Sequence, residues 1–83
     1  MSLDQAMEPA IQALLLFLKR PEREDITEPV SNTVRGYLIS AKGVFKNFSE
    51  TPREHLMKGF RERAPDPDSE RAEQIVQLIR NSN

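Results

Sequence analysis

The sequence predicts an all-α fold, a small four-helix bundle with short proline-marked connections, and three observations carry that prediction. Apolar residues recur at steps of three and four in four separate stretches, without the period-2 alternation of a half-buried strand. Prolines punctuate the breaks between those stretches, at Pro21 and Pro29, at Pro52, and at Pro65 and Pro67. The chain has 83 residues and no cysteine, so it has room for one hydrophobic core and must hold it without disulfides. A single helical domain over 1–83 is expected, whether as a whole protein or as a domain excised from a larger one.

The first helix is expected near 9–19 and is built on residues 10–18, the most apolar run in the chain. Ile11, Leu14, Leu15 and Leu18 fall at i, i+3, i+4 and i+7, while Leu16 and Phe17 carry apolar surface around the sides. A helix so apolar all round belongs at the centre of a bundle, with Leu14, Leu15 and Leu18 among its most buried side chains. Pro9 fits its first position, where a missing N–H costs nothing; a turn capped by Ser2 with a kink at Pro9 is the alternative. Pro21 ends the helix, and residues 21–29 form a charged connection.

The second helix is expected over 28–48, capped by Thr27 or Glu28 with Pro29 in its first turn. Val30, Val34, Tyr37, Leu38, Ala41, Val44, Phe45 and Phe48 form its apolar stripe, about 120° wide at 100° per residue. Arg35, Lys42 and Lys46 make a basic ridge beside the stripe, and Gly36, Ser40, Gly43 and Asn47 line up opposite it as small residues. Ile39 projects between ridge and strip, away from the core. The third helix, 52–63, opens on Thr51-Pro52-Arg53-Glu54, a capping box with proline at the first position, and turns Leu56, Met57, Phe60 and Ala64 inward. The fourth, 67–81, is expected to be capped by Asp66 and to bury Ala72, Ile75, Val76 and Ile79, leaving 81–83 as a polar fray.

Net charge is −1 and the chain is charged unevenly. Residues 1–29 hold three Lys/Arg against six Asp/Glu, 30–63 hold seven against three, and 64–83 hold two against four. The basic middle can form a patch, although an acidic chain overall argues against a dedicated nucleic-acid binder. The longest apolar run, nine residues with Gln12 inside it, falls far short of the roughly 20 needed to span a bilayer, and no secretory or lipidation signal opens the chain. A cytoplasmic or nuclear protein without membrane contact is the expectation.

No catalytic, cofactor or metal site is expected. His55 has neither cysteine nor a second histidine to complete a zinc site and reads as a solvated helix residue. Asp66-Pro67-Asp68-Ser69-Glu70 imitates the opening of a calcium loop, but Arg71 stands where glycine is required and Gln77 where the closing glutamate belongs. There is no phosphate-binding glycine loop and no nucleophile elbow. The expectation is a non-enzymatic protein–protein interaction module or small subunit that takes a protein partner or a second copy of itself. Its candidate contacts are Arg35, Gly36, Ile39, Ser40, Lys42, Gly43 and Lys46. The alternative is a nucleic-acid-binding domain using Arg35, Lys42, Lys46, Arg53, Lys58, Arg61 and Arg63 on the phosphate backbone.

Overall fold

The computed structural model describes residues 3–43 and 51–82, and all regular structure among them is α-helical: α1 (Leu3–Phe17), α2 (Thr27–Ala41), α3 (Pro52–Arg63) and α4 (Glu70–Asn81). α1 packs most extensively on α2 and also on α3, α4 packs on both α2 and α3, and α2 and α3 touch each other over a smaller contact.

α1 departs from the expected helix in both start and facing. It begins at Leu3 and runs through Pro9 instead of starting there. A proline in a helix interior removes one hydrogen bond and crowds the carbonyl four residues back. The gain against that cost is Met7, which joins Ala10, Ile11 and Leu14 as a buried i, i+3, i+4, i+7 face. The core face is thus one turn nearer the N-terminus than expected. Leu14 is fully buried, but Leu15 and Leu18 are only half-buried and Leu16 is 63% exposed. α1 therefore buries one face, most extensively against α2 and also against α3, and leaves the flank that carries Leu15, Leu16 and Leu18 partly open, so it is not covered on every side as expected. Its end tightens into i→i−3 bonds, with the N–H groups of Leu18, Lys19 and Arg20 donating to the carbonyls of Leu15, Leu16 and Phe17 at 3.1–3.2 Å.

The connection 18–26 is anchored from inside. Ile26, which falls in the charged stretch read as plain loop, is fully buried and occupies the N-cap position of α2. An isoleucine side chain cannot cap, so Asp25 does so from one residue earlier, its Oδ1 accepting from the Thr27 N–H at 2.9 Å. Val30, Val34, Tyr37 and Ala41 are buried along α2 as the stripe predicts, and Leu38 packs partly against them. The helix stops at Ala41, with Lys42 and Gly43 in a turn; Val44, Phe45, Lys46, Asn47 and Phe48, expected to continue it, lie outside the described residues.

α3 starts as its sequence dictates. Thr51 Oγ1 accepts from the Glu54 N–H at 3.1 Å with Pro52 at the first helical position, and Ala64 is driven extended (ψ 132°) before Pro65. Leu56, Phe60 and Ala64 are buried and Met57 is half-buried; Gly59 is buried as well. α4 starts three residues later than expected. Asp66 accepts the Ser69 N–H at 3.2 Å in a turn, and Ser69, not Asp66, caps the helix by accepting from the Ala72 N–H at 3.2 Å. Proline at the second position of that turn suits its fixed φ, which leaves the serine as the first cap-competent residue ahead of the apolar stripe. Ala72, Ile75, Val76 and Ile79 are buried as expected. Ser82 is no fray: it is buried and its hydroxyl donates to the Leu78 carbonyl at 2.6 Å.

Arg71 ties α4 to the opposite connection. Only 8% exposed, its guanidinium donates to the Pro21 carbonyl, to the Glu24 carbonyl at 3.1 Å and to Gln74 Oε1 at 2.8 Å. One side chain thereby satisfies backbone acceptors of a connection that has no helix or sheet ladder of its own.

Candidate functional site

The outer face of α2 gathers most of the expected interaction residues. With Val30, Val34, Tyr37 and Ala41 inward, Ile39 falls roughly 170° away at 100° per residue and is 76% exposed. Arg35, Gly36 and Ser40 are exposed beside it. Arg35 donates from Nη2 to Asn32 Oδ1 one turn back, which lays the guanidinium along the helix instead of out into solvent.

The small-residue strip has a physical role different from a tight helix contact within this chain. A Cβ at Gly36 or Gly43 would meet nothing within 4 Å. Gly36 and Ser40 instead form, with Asn32, Thr33 and Tyr37, one wall of an open groove of about 370 Å³, and Pro9 and Ala10 of α1 form the other. Lys42 is exposed at the helix end and Gly43 lies just beyond it, so these two sit at the margin of the face. Lys46 lies outside the described residues.

The second candidate set, the cations expected for nucleic acid, is dispersed by the fold. Arg53 donates from Nη1 to the Arg80 carbonyl at 2.8 Å, covering the end of α4. Arg63 pairs through Nη1 with Glu8 Oε2 at 2.6 Å, joining α3 to α1. That pairing acts on both partners: the Arg63 hydrogen bond, helped by one from Gln12 at 2.9 Å, holds the Glu8 carboxyl below its ordinary range, and Glu8 pushes the Arg63 guanidinium up. Lys58 and Arg61 remain exposed on α3, but Glu54 and Glu62 are exposed on the same helix and break the positive surface.

His55 is half-buried, not solvated as expected, and among the described residues no three His, Asp or Glu side chains converge as metal ligands. No helix among them is long and apolar enough to cross a membrane. The sequence reading missed two residues that organise this geometry. Gly59, at i+3 from Leu56 on the buried face, carried a legible signal, since a glycine at a core position marks close approach of another element. Arg71 carried none, because its acceptors are backbone carbonyls 47 and 50 residues away in the sequence. Comparison with protein-family models, with curated proteins and with solved structures finds no match for this chain.

Proposed function

We propose that this chain is a non-enzymatic helical interaction module or small subunit that docks through the outer face of α2, with a protein partner or a second copy of itself as the occupant. The observation that carries this reading is Ile39, three-quarters exposed on a rigid helix beside the groove walled by Gly36 and Ser40. A singly exposed apolar residue is ordinary on a protein surface; one set beside an open groove with small walls supplies a knob and a hole on the same face. Arg35 and Lys42 border it with positive charge, which sets the rate and orientation of encounter more than the affinity.

The nucleic-acid reading is weaker, since Arg53 and Arg63 are engaged at the surface by acceptors of the chain itself and the other candidate cations among the described residues are scattered over two helices. Light scattering for oligomeric state and capture of partners test the proposal together. Ile39→Asp or Gly36→Leu is expected to abolish self-association or capture without unfolding the chain, because both positions face open space. Lys42→Glu is expected mainly to slow association. Salt-sensitive duplex binding, with a log–log slope of about −0.9 per phosphate neutralised, that survives Ile39→Asp and is lost on reversing Arg35, Lys42 and Lys46 would overturn it.

A further inference from the structure

The apolar run that heads the sequence is not consumed by the core. Because the buried face of α1 is Met7, Ala10, Ile11 and Leu14, the later leucines are left half-buried or exposed on its flank. Leu15, Leu16 and Leu18 form, with Pro65 from the connection after α3, the apolar lining of a second groove of about 420 Å³, a size that accepts several side chains of a ligand. Its two charged lining residues, Lys19 and Arg63, are both cationic. Glu8 holds Arg63 in place at 2.6 Å, and Lys19 is exposed with no carboxylate partner among the described residues. The lining is drawn from residues 12–19 and 63–65, so this surface is separate from the α2 face.

From that geometry we infer that the groove between the end of α1 and the end of α3 docks an amphipathic helix of a partner protein, one whose apolar face is flanked by aspartate or glutamate. The two helices, in contact along Met7, Ile11 and Gly59, leave beside that contact a groove lined by Leu15, Leu16, Leu18 and Pro65, and an apolar groove flanked by helices is one an amphipathic helix fills. Burying Leu16 supplies the affinity, and Lys19, the lining cation without a carboxylate partner among the described residues, selects acidic flanks by attracting carboxylates and repelling lysine-flanked helices. There is no sheet edge among the described residues to recruit an extended peptide.

The probe is a fluorescein-labelled peptide of about 18 residues with leucines at i, i+3, i+4 and i+7 and glutamates on both flanks, followed by anisotropy against the intact chain. Expected are saturable binding, a loss of about tenfold or more on Leu16→Asp, a loss of about fivefold on Lys19→Glu, and a loss of about tenfold when the peptide's glutamates are replaced by lysines. Leu16 and Lys19 are exposed, so both variants keep the fold, and amide shifts on titration are expected to concentrate at residues 12–19 and 63–65. Ile39→Asp is expected to leave peptide binding unchanged, which separates this groove from the docking face on α2. Absence of saturable binding, equal affinity for the lysine-flanked peptide, indifference to Leu16→Asp, or binding to phosphatidylserine vesicles in place of the peptide would each overturn the inference.

Discussion

At Gly59 the backbone of α3 comes within side-chain reach of α1, where an added Cβ would stand 2.8 Å from Met7 Cε and 2.9 Å from Met7 Sδ. The obstacle is the flexible end of a methionine, which can move aside, so Gly59→Ala is expected to change stability little, the helix-propensity gain of about 1 kcal/mol offsetting the displacement. Gly59→Leu has no such escape and is expected to cost about 1–3 kcal/mol by overpacking, read as a lower urea midpoint at unchanged slope. Arg71 acts by the opposite means, reaching across the molecule to the Pro21 carbonyl, which it shares with the Glu24 N–H, and to the Glu24 carbonyl. Arg71→Met keeps the packing of the stem and removes the donors. It is expected to destabilise by about 1–3 kcal/mol and to speed amide hydrogen exchange selectively over residues 21–26.

Among the elements, α1 and α4 show how a boundary is settled by competition. Proline at position 9 looks like a helix start because the first turn is the one place where its missing N–H is free of cost. Met7 shifts the outcome, since a helix starting at Pro9 would leave it and its contact with Gly59 outside the core. Pro9 is exposed, so Pro9→Ala restores a backbone bond without disturbing packing. Stabilisation of roughly 2 kcal/mol is expected in thermal unfolding, the ~3 kcal/mol helix penalty less the ~1 kcal/mol that proline contributes by restricting the unfolded chain. Facing is settled in the same way. Leu14→Ala is expected to cost about 2–5 kcal/mol, whereas Leu15→Ala, at a half-buried position, is expected to cost clearly less. Equal losses for the two would place the buried face of α1 where the apolar run alone put it.

For the whole molecule, two carboxylates make part of the stability acid-sensitive. Glu8 joins α1 to α3 through Arg63, and Asp25 caps α2 with its carboxyl held below the ordinary range by hydrogen bonds from Thr27, the side chain first and then the backbone N–H. A carboxylate whose pKa is depressed by folding contributes stability that is complete above its unfolded pKa and is lost as pH falls through the folded one. The thermal midpoint is therefore expected to be flat from neutral pH down to the ordinary carboxylate range and to fall below it. Glu8→Gln is expected to sit lower at neutral pH and to decline less on acidification, so that the two curves converge; parallel curves would show the Glu8–Arg63 pair adds nothing to the fold.

The helical class, the cap of α3, the inward faces of α2, α3 and α4 and the outward turn of Ile39 are all determined by the sequence alone, because each depends on residues within a turn or two of one another and on the fixed 3.6-residue period. Only the tertiary structure decided which side of the uniformly apolar α1 is buried, that Ile26 belongs to the core, and that Arg53, Arg63 and Arg71 serve the fold while Lys19 lines a groove. The reason is the same in each case. When a helix is apolar on every side, or a cation has a choice of acceptors, local sequence leaves several arrangements close in energy, and the one adopted depends on what distant segments bring to it: a glycine at position 59 that admits Met7, or carbonyls at positions 21 and 24 within reach of the Arg71 guanidinium.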